Sequence, residues 1–188
     1  MKRILVTLGL LFCLLAPSAT VIAFGKPDII KHTLASIVRV EFPLEGRENG
    51  ICTGFMVEPK HAITAAHCAP EDAGFTVDGE DSFVVKRDGQ FVLVYAGDKP
   101  ALKLARQVSL QENVTAFGYA WGDMFVMRGY VAAFRGQDFA VDRPLAPGMS
   151  GGPTVNQAGE VVGLNQGTNA VIGILCGVAE IRAFVNIR

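Results

Sequence analysis

Along most of the chain, apolar residues fall in short runs punctuated by Gly, Pro, Asp and Asn. Residues 36–42 (SIVRVEF) alternate apolar and polar, the period-two signature of a strand with one buried face. Residues 51–57 (ICTGFMV) and 61–65 (HAITA) flank a turn at Glu58-Pro59-Lys60, and residues 75–77, 83–85 and 91–95 follow as strands between acidic or Gly-containing turns. Residues 114–118, 124–131, 138–141, 161–164 and 171–175 complete the series. Repeated short strands with turn punctuation predict an all-β sandwich or barrel, with the Phe and Val stripes as its core. At the end, residues 179–187 change period. Ile181, Phe184 and Val185 are spaced to cover one face of a short helix.

The first residues do not share this pattern. Lys2 and Arg3 precede a nearly unbroken apolar run over residues 4–16, which Pro17-Ser18 ends. The run has the length of a signal-peptide core and falls short of the ~20 residues of a spanning helix. Val21-Ile22-Ala23 suits a cleavage site, so residues 1–23 read as a secretory signal, the alternative being an uncleaved anchor. Residues 24–34 read as an N-terminal extension and residues 35–188 as one domain. The destination is periplasmic or secreted, with no stable membrane association once the signal is removed.

Lys and Arg number 17 against 18 Asp and Glu, a net charge of -1, which offers no electrostatic footprint for nucleic acid or an anionic membrane. With 50% apolar and 19% charged residues the chain is not intrinsically disordered. No phosphate-cradling Gly loop or dinucleotide fingerprint is present, and no cofactor is expected. Cys13 leaves with the signal. Of the remaining cysteines, Cys52 and Cys68 are the natural pair, and Cys176 is the odd one out, a small buried hydrophobe. Zinc ligation by Cys52 and Cys68 with His61 or His67 is the competing reading, although the tight ligand-pair spacing of structural zinc sites is missing.

Two short motifs carry chemistry. In Thr64-Ala65-Ala66-His67-Cys68 a histidine follows a strand, and two alanines leave its ring room to turn towards a cleft. In Gly148-Met149-Ser150-Gly151-Gly152-Pro153 a Gly-rich turn exposes a serine hydroxyl. The glycines also permit backbone angles that let main-chain N–H groups converge on one point, as an oxyanion hole requires. Either motif alone is weak, because a lone histidine is usually structural and a serine among glycines is usually a turn.

Together, and in this order, they resemble the trypsin-like (chymotrypsin-fold) serine proteases, the bacterial periplasmic stress-type branch being closest in layout. The approach Gly54-Phe55-Met56-Val57 before TAAHC is similar to the family's, as is Gly159-Glu160-Val161-Val162-Gly163-Leu164-Asn165 after the serine. Gly118-Tyr119-Ala120-Trp121-Gly122 resembles its mid-chain turn without the proline. The resemblance implies two six-stranded antiparallel β-barrels with a short C-terminal helix and endopeptidase action on polypeptide, and the chain is expected to be a monomer, the oligomers of the stress-type branch being a poor guide to it. Ser150 would be the nucleophile, His67 its general base, and the N–H groups of Gly148 and Ser150 the oxyanion hole. A Cys52–Cys68 bridge would brace the histidine loop, and Leu164, Asn165 and Gln166 would form the strand edge that pairs with substrate. Asp88, just ahead of Phe91-Val92-Leu93-Val94, is the choice for the triad carboxylate. Asp81 is the alternative, and another register puts Gln90 in the aspartate's place. Pro144, six residues before the serine, gives no support for a trypsin-like basic preference in the primary pocket. A catalytically impaired homologue that binds peptides or a partner is the rival reading.

Overall fold

The computed structural model describes residues 27–44, 46, 48–169 and 171–186. The signal read over residues 1–23 lies outside them, so the fold neither supports nor opposes it. The described chain opens with α1 (Pro27–Ala35), a helix inside the stretch expected to be an extension. Pro suits a first helical turn, whose N–H groups have no intrahelical partner. The Thr33 and Ser36 hydroxyls, both in buried residues, donate to the Ile29 and His32 carbonyls at 2.8 and 3.1 Å.

The first half is one seven-stranded antiparallel sheet. Its strands are β1 (Ile37–Phe42), β2 (Gly50–Glu58), β3 (Lys60–Ala65), β4 (Thr76–Val77), β5 (Glu80–Asp81), β6 (Val84–Arg87) and β7 (Phe91–Gly97). Their order is β5-β4-β1-β2-β3-β7-β6. The central strands carry the apolar runs of the sequence and are buried: Val38, Val40, Phe55, Met56, Ile63, Val92 and Val94 are all fully covered. The sheet curls but does not close, since β5 and β6 form its two ends. Both residues of β5 are exposed acids, and a two-residue strand offers little ladder for closure.

The second half does close. β8 (Asn113–Ala120), β9 (Asp123–Arg135), β10 (Asp138–Val141), β11 (Pro153–Val155), β12 (Val161–Thr168) and β13 (Gly173–Gly177) form a six-stranded barrel in the order β10-β13-β12-β11-β8-β9. The expected pair of closed barrels is thus one barrel and one curled sheet. The turn expected around Gly118–Gly122 sits at its far end. Gly118 lies inside β8, and the hairpin turns on Trp121-Gly122, both with positive φ (49° and 94°), as a tight hairpin of this hand demands. Helix α2 (Val178–Asn186) follows β13 directly and buries Ile181 and Phe184 against the first sheet's core, where Phe184 meets Phe91 with ring centroids 5.5 Å apart. Among the described residues no helix is long and apolar enough to cross a membrane.

Candidate active site

His67 sits on a short 3-10 turn, Ala66–Cys68, that ends β3. Three interactions fix this turn. Cys68 is bridged to Cys52 of β2 across a sequence separation of 16 residues, so both sulfurs are spent and the zinc reading falls. The Ala66 N–H donates to the Gln90 carbonyl at 2.9 Å. The Arg87 guanidinium, reaching from β6, donates to the carbonyls of Ala66 and Ala69. A ring nitrogen of His67 lies within 4.8 Å of both bridge sulfurs. His67 is exposed, yet the protein packed about it disfavours its charged form and holds its pKa below the ordinary 6.5.

Ser150 stands on the turn between β10 and β11, which is laid against β2 and β8. The Thr53 N–H donates to the Ser150 carbonyl at 2.9 Å, and the Cys68 sulfur lies 3.8 Å from the same oxygen. The bridge sulfurs therefore lie near both the serine's main chain and the histidine ring. Thr53 Oγ1 donates to the Gly148 carbonyl and accepts the Tyr119 N–H, each at 2.8 Å. At Gly151 (φ +82°) a Cβ would lie 2.1 Å from the Thr53 carbonyl oxygen, so only glycine lets the turn come this close to β2.

Asn165, fully buried on β12, organises the turn from beneath. Its amide donates to the carbonyls of Phe117 and Met149 at 3.0 and 3.2 Å, and its Oδ1 accepts the Thr154 hydroxyl at 2.8 Å. The Gly152 N–H donates to the Met149 carbonyl as well, at 3.0 Å. In a trans peptide the C=O and the following N–H point in opposite directions. Anchoring the Met149 oxygen inward thus turns the Ser150 N–H outward. Among the described residues the N–H groups of Gly148 and Ser150 donate to no protein group.

The Ser150 hydroxyl donates to the Gln166 carbonyl at 3.3 Å rather than to His67. Of the three residues expected to form the substrate edge, Leu164 and Asn165 have fully buried side chains, and Gln166 reaches the cleft. Beyond Asn165, β12 pairs only with β13, which leaves the edge near Gln166 open for an extended peptide.

The carboxylates are placed as follows. Asp88 is exposed in the turn before β7, and its Oδ1 accepts the N–H groups of Gln90 and Phe91 at 2.8 and 2.7 Å. Asp81 is exposed on β5. Among the described residues no hydrogen bond or ion pair joins either of them to His67. The Gln90 side-chain oxygen accepts the thiol of Cys176 at 2.7 Å. Cys176 is free and buried, and that burial pushes its pKa up to about 12, so it stays a neutral thiol. A cleft of about 370 Å³ opens beside His67, with Gln90, Gln166 and Cys176 in its walls. It also contains Asp138, on which the sequence patterning gave no hint beyond the start of a strand.

A histidine-bearing turn braced by a disulfide, with a serine-bearing Gly turn laid beside that bridge, defines a serine-protease architecture. The family model of the trypsin-like peptidase domain matches residues 52–164, and the chain belongs to that family. Among solved structures it is similar to the active form of the Rv3671c protease from M. tuberculosis (TM-score 0.74, 19% identity, 84% of this chain and 82% of that one). The inactive form of that protease gives a TM-score of 0.70 at 19% identity, over 84% of this chain and 91% of that one. The serine endoprotease from Yersinia pestis gives 0.73 at 20% identity, over 83% of this chain and 63% of that one. No curated protein matches the sequence.

Proposed function

We propose that this chain is an exported serine endopeptidase that hydrolyses polypeptide by acyl transfer, with Ser150 as nucleophile and His67 as general base. The observation that carries the reading is the disulfide-centred juxtaposition of the His67 ring and the Ser150 turn, with the Gly148 and Ser150 N–H groups left unspent. The Ser150 oxygen attacks the scissile carbonyl carbon while its proton passes to His67. The carbonyl oxygen becomes an oxyanion facing the two N–H groups, and collapse expels the amine, which takes the proton back from the imidazolium. Water then repeats the sequence on the acyl-enzyme and frees the acid.

To enter this sequence the Ser150 hydroxyl must leave the Gln166 carbonyl for His67, and a bound peptide pairing with that carbonyl would release it. The lowered pKa of His67 keeps the imidazole neutral, the form a general base needs. Asp88 is the choice for the third place of the triad and would serve through Oδ2, because Oδ1 is held by its own turn. The disulfide suits an oxidising compartment, in keeping with export.

A second reading has a specific observation in its favour. Desolvation alone shifts His67, with no carboxylate raising its pKa, and the Gln90 amide is engaged with Cys176. On that reading the chain is an impaired homologue that binds peptides. An amide in the carboxylate's place lowers turnover about 10⁴-fold in a Ser-His-Asp protease. Labelling by a fluorophosphonate separates the two. An endopeptidase labels at Ser150 and loses the label in Ser150→Ala, whereas a wild type as inert as that variant refutes the enzyme.

A further inference from the structure

We propose that the cleft beside His67 is a subsite for a lysine or arginine side chain of the substrate, read by Asp138. This deepens the endopeptidase reading and rests on it. The cleft, about 370 Å³, takes in His67 and Gln166, so a peptide laid along the open edge of β12 passes over it. Side chains of an extended peptide alternate between faces, and one directed to the His67 side enters.

The walls decide what enters. Ile174, 41% exposed, together with the neutral thiol of Cys176 offers an apolar surface for a methylene stem, while no Lys or Arg lines the cleft. Asp138 is the carboxylate in its lining. The Asp138 carboxylate lies against the Cys176 thiol and the Glu180 carboxyl, with Oδ1 buried, and none of the ion pairs among the described residues includes it. An ammonium or guanidinium entering the cleft meets a carboxylate in its wall and no competing cation in its lining. The surroundings add the same sign. Glu180 of α2 has a carboxyl oxygen within 4.8 Å of the Asp138 carboxylate and the Cys176 sulfur, and the charge of Asp88 is felt there as well. The turn before β7, β10 and α2 thus each supply one carboxylate to this corner. Pro144, the uncharged residue that the family resemblance assigns to the primary pocket, is not among the residues lining this cleft.

The test is a positional scan with fluorogenic peptides carrying lysine, arginine, norleucine or glutamate at each position upstream of the scissile bond. At one such position lysine or arginine is expected to exceed norleucine in kcat/KM by about three- to fivefold at low salt, the upper part of the range of an exposed ion pair. The ratio shrinks when salt is raised to about 0.5 M. Asp138→Asn brings the ratio near unity. Asp138→Lys turns the preference towards glutamate, an inversion that loss of folding cannot mimic. Ratios within about twofold at every upstream position, or a lysine preference untouched by Asp138→Asn, overturn the subsite. If Ser150 is labelled by the fluorophosphonate while these ratios stay flat, only the subsite falls. If Ser150 neither labels nor cleaves any peptide, the endopeptidase reading falls with it.

Discussion

Asn165 offers the sharpest test of how the serine turn works. Replacing it by alanine removes one acceptor and two donors from a fully buried position. Each such bond contributes about 1 kcal/mol net, and the Thr154 hydroxyl, also fully buried, is left unpaired, so Asn165→Ala is expected to cost about 3–4 kcal/mol. The catalytic effect is separable from the loss of stability. The Met149 carbonyl keeps the Gly152 N–H at 3.0 Å but loses the Asn165 amide, so the peptide between Met149 and Ser150 can tilt. Deleting an oxyanion donor outright costs about 10²–10³ in kcat. A loosened one is expected to cost about 10–100-fold, mostly in kcat with KM little moved. The assay is peptide-ester turnover under conditions where the variant stays folded by circular dichroism, beside urea melts for stability. Thr154→Val is the control. It unpairs the Asn165 oxygen but leaves both amide donations, and should cost about 1 kcal/mol of stability without the kcat loss. A folded Asn165→Ala protein with kcat within twofold of wild type would refute the claim that this amide aims the Ser150 N–H.

Further expectations concern protons and the covalent brace. Because desolvation lowers the His67 pKa, its protonation, which removes the base, comes later as pH falls. The acid limb of kcat/KM should lie below pH 6.5, and a limb above that value would contradict the assignment. Replacing both Cys52 and Cys68 by alanine frees a loop of 16-residue separation, which the chain-entropy model values at about 3 kcal/mol. Calorimetry should then show a Tm lower by about 6–12 °C. Glu180 has its pKa raised by partial burial first and by Asp138 and Asp88 next. An acid whose folded pKa is raised loses stability as pH climbs from its ordinary 4.5 through the raised value, and the deficit persists above it. Glu180→Gln should accordingly raise Tm by about 1–2 °C at pH 7, the scale of a relieved like-charge contact, and by nothing near pH 4.

Much of the strand plan was readable because alternation is the property a half-buried strand requires. Residues 36–42, 91–95 and 138–141 come within two residues of β1, β7 and β10. What escaped was structure whose cause lies elsewhere in the chain. In β11, Pro153-Thr154-Val155 is buried on every side, so it shows no alternation, and a leading Pro reads as a breaker. Closure of a sheet depends on the relative lengths and tilt of many strands, which no single window of residues carries. The His67 and Ser150 motifs were legible because glycine and alanine requirements are local. The partners that orient them were less so. Asn165 could have been noticed as a polar residue inside the apolar run Val161-Val162-Gly163-Leu164, a position that demands buried bonds. Nothing in the pattern around Asp138 says that its carboxylate shares a cleft with a histidine on the other lobe.

The grip of Arg87 on the histidine turn has a consequence for motion. Arg87 belongs to β6, which is paired on one side only, against β7, and forms the rim of the sheet. Rim strands fray at lower free energy than central ones. A peeling of β6 would withdraw a guanidinium from the carbonyls that flank His67, so the order of that turn is tied to the outermost ribbon as well as to the interior beneath it.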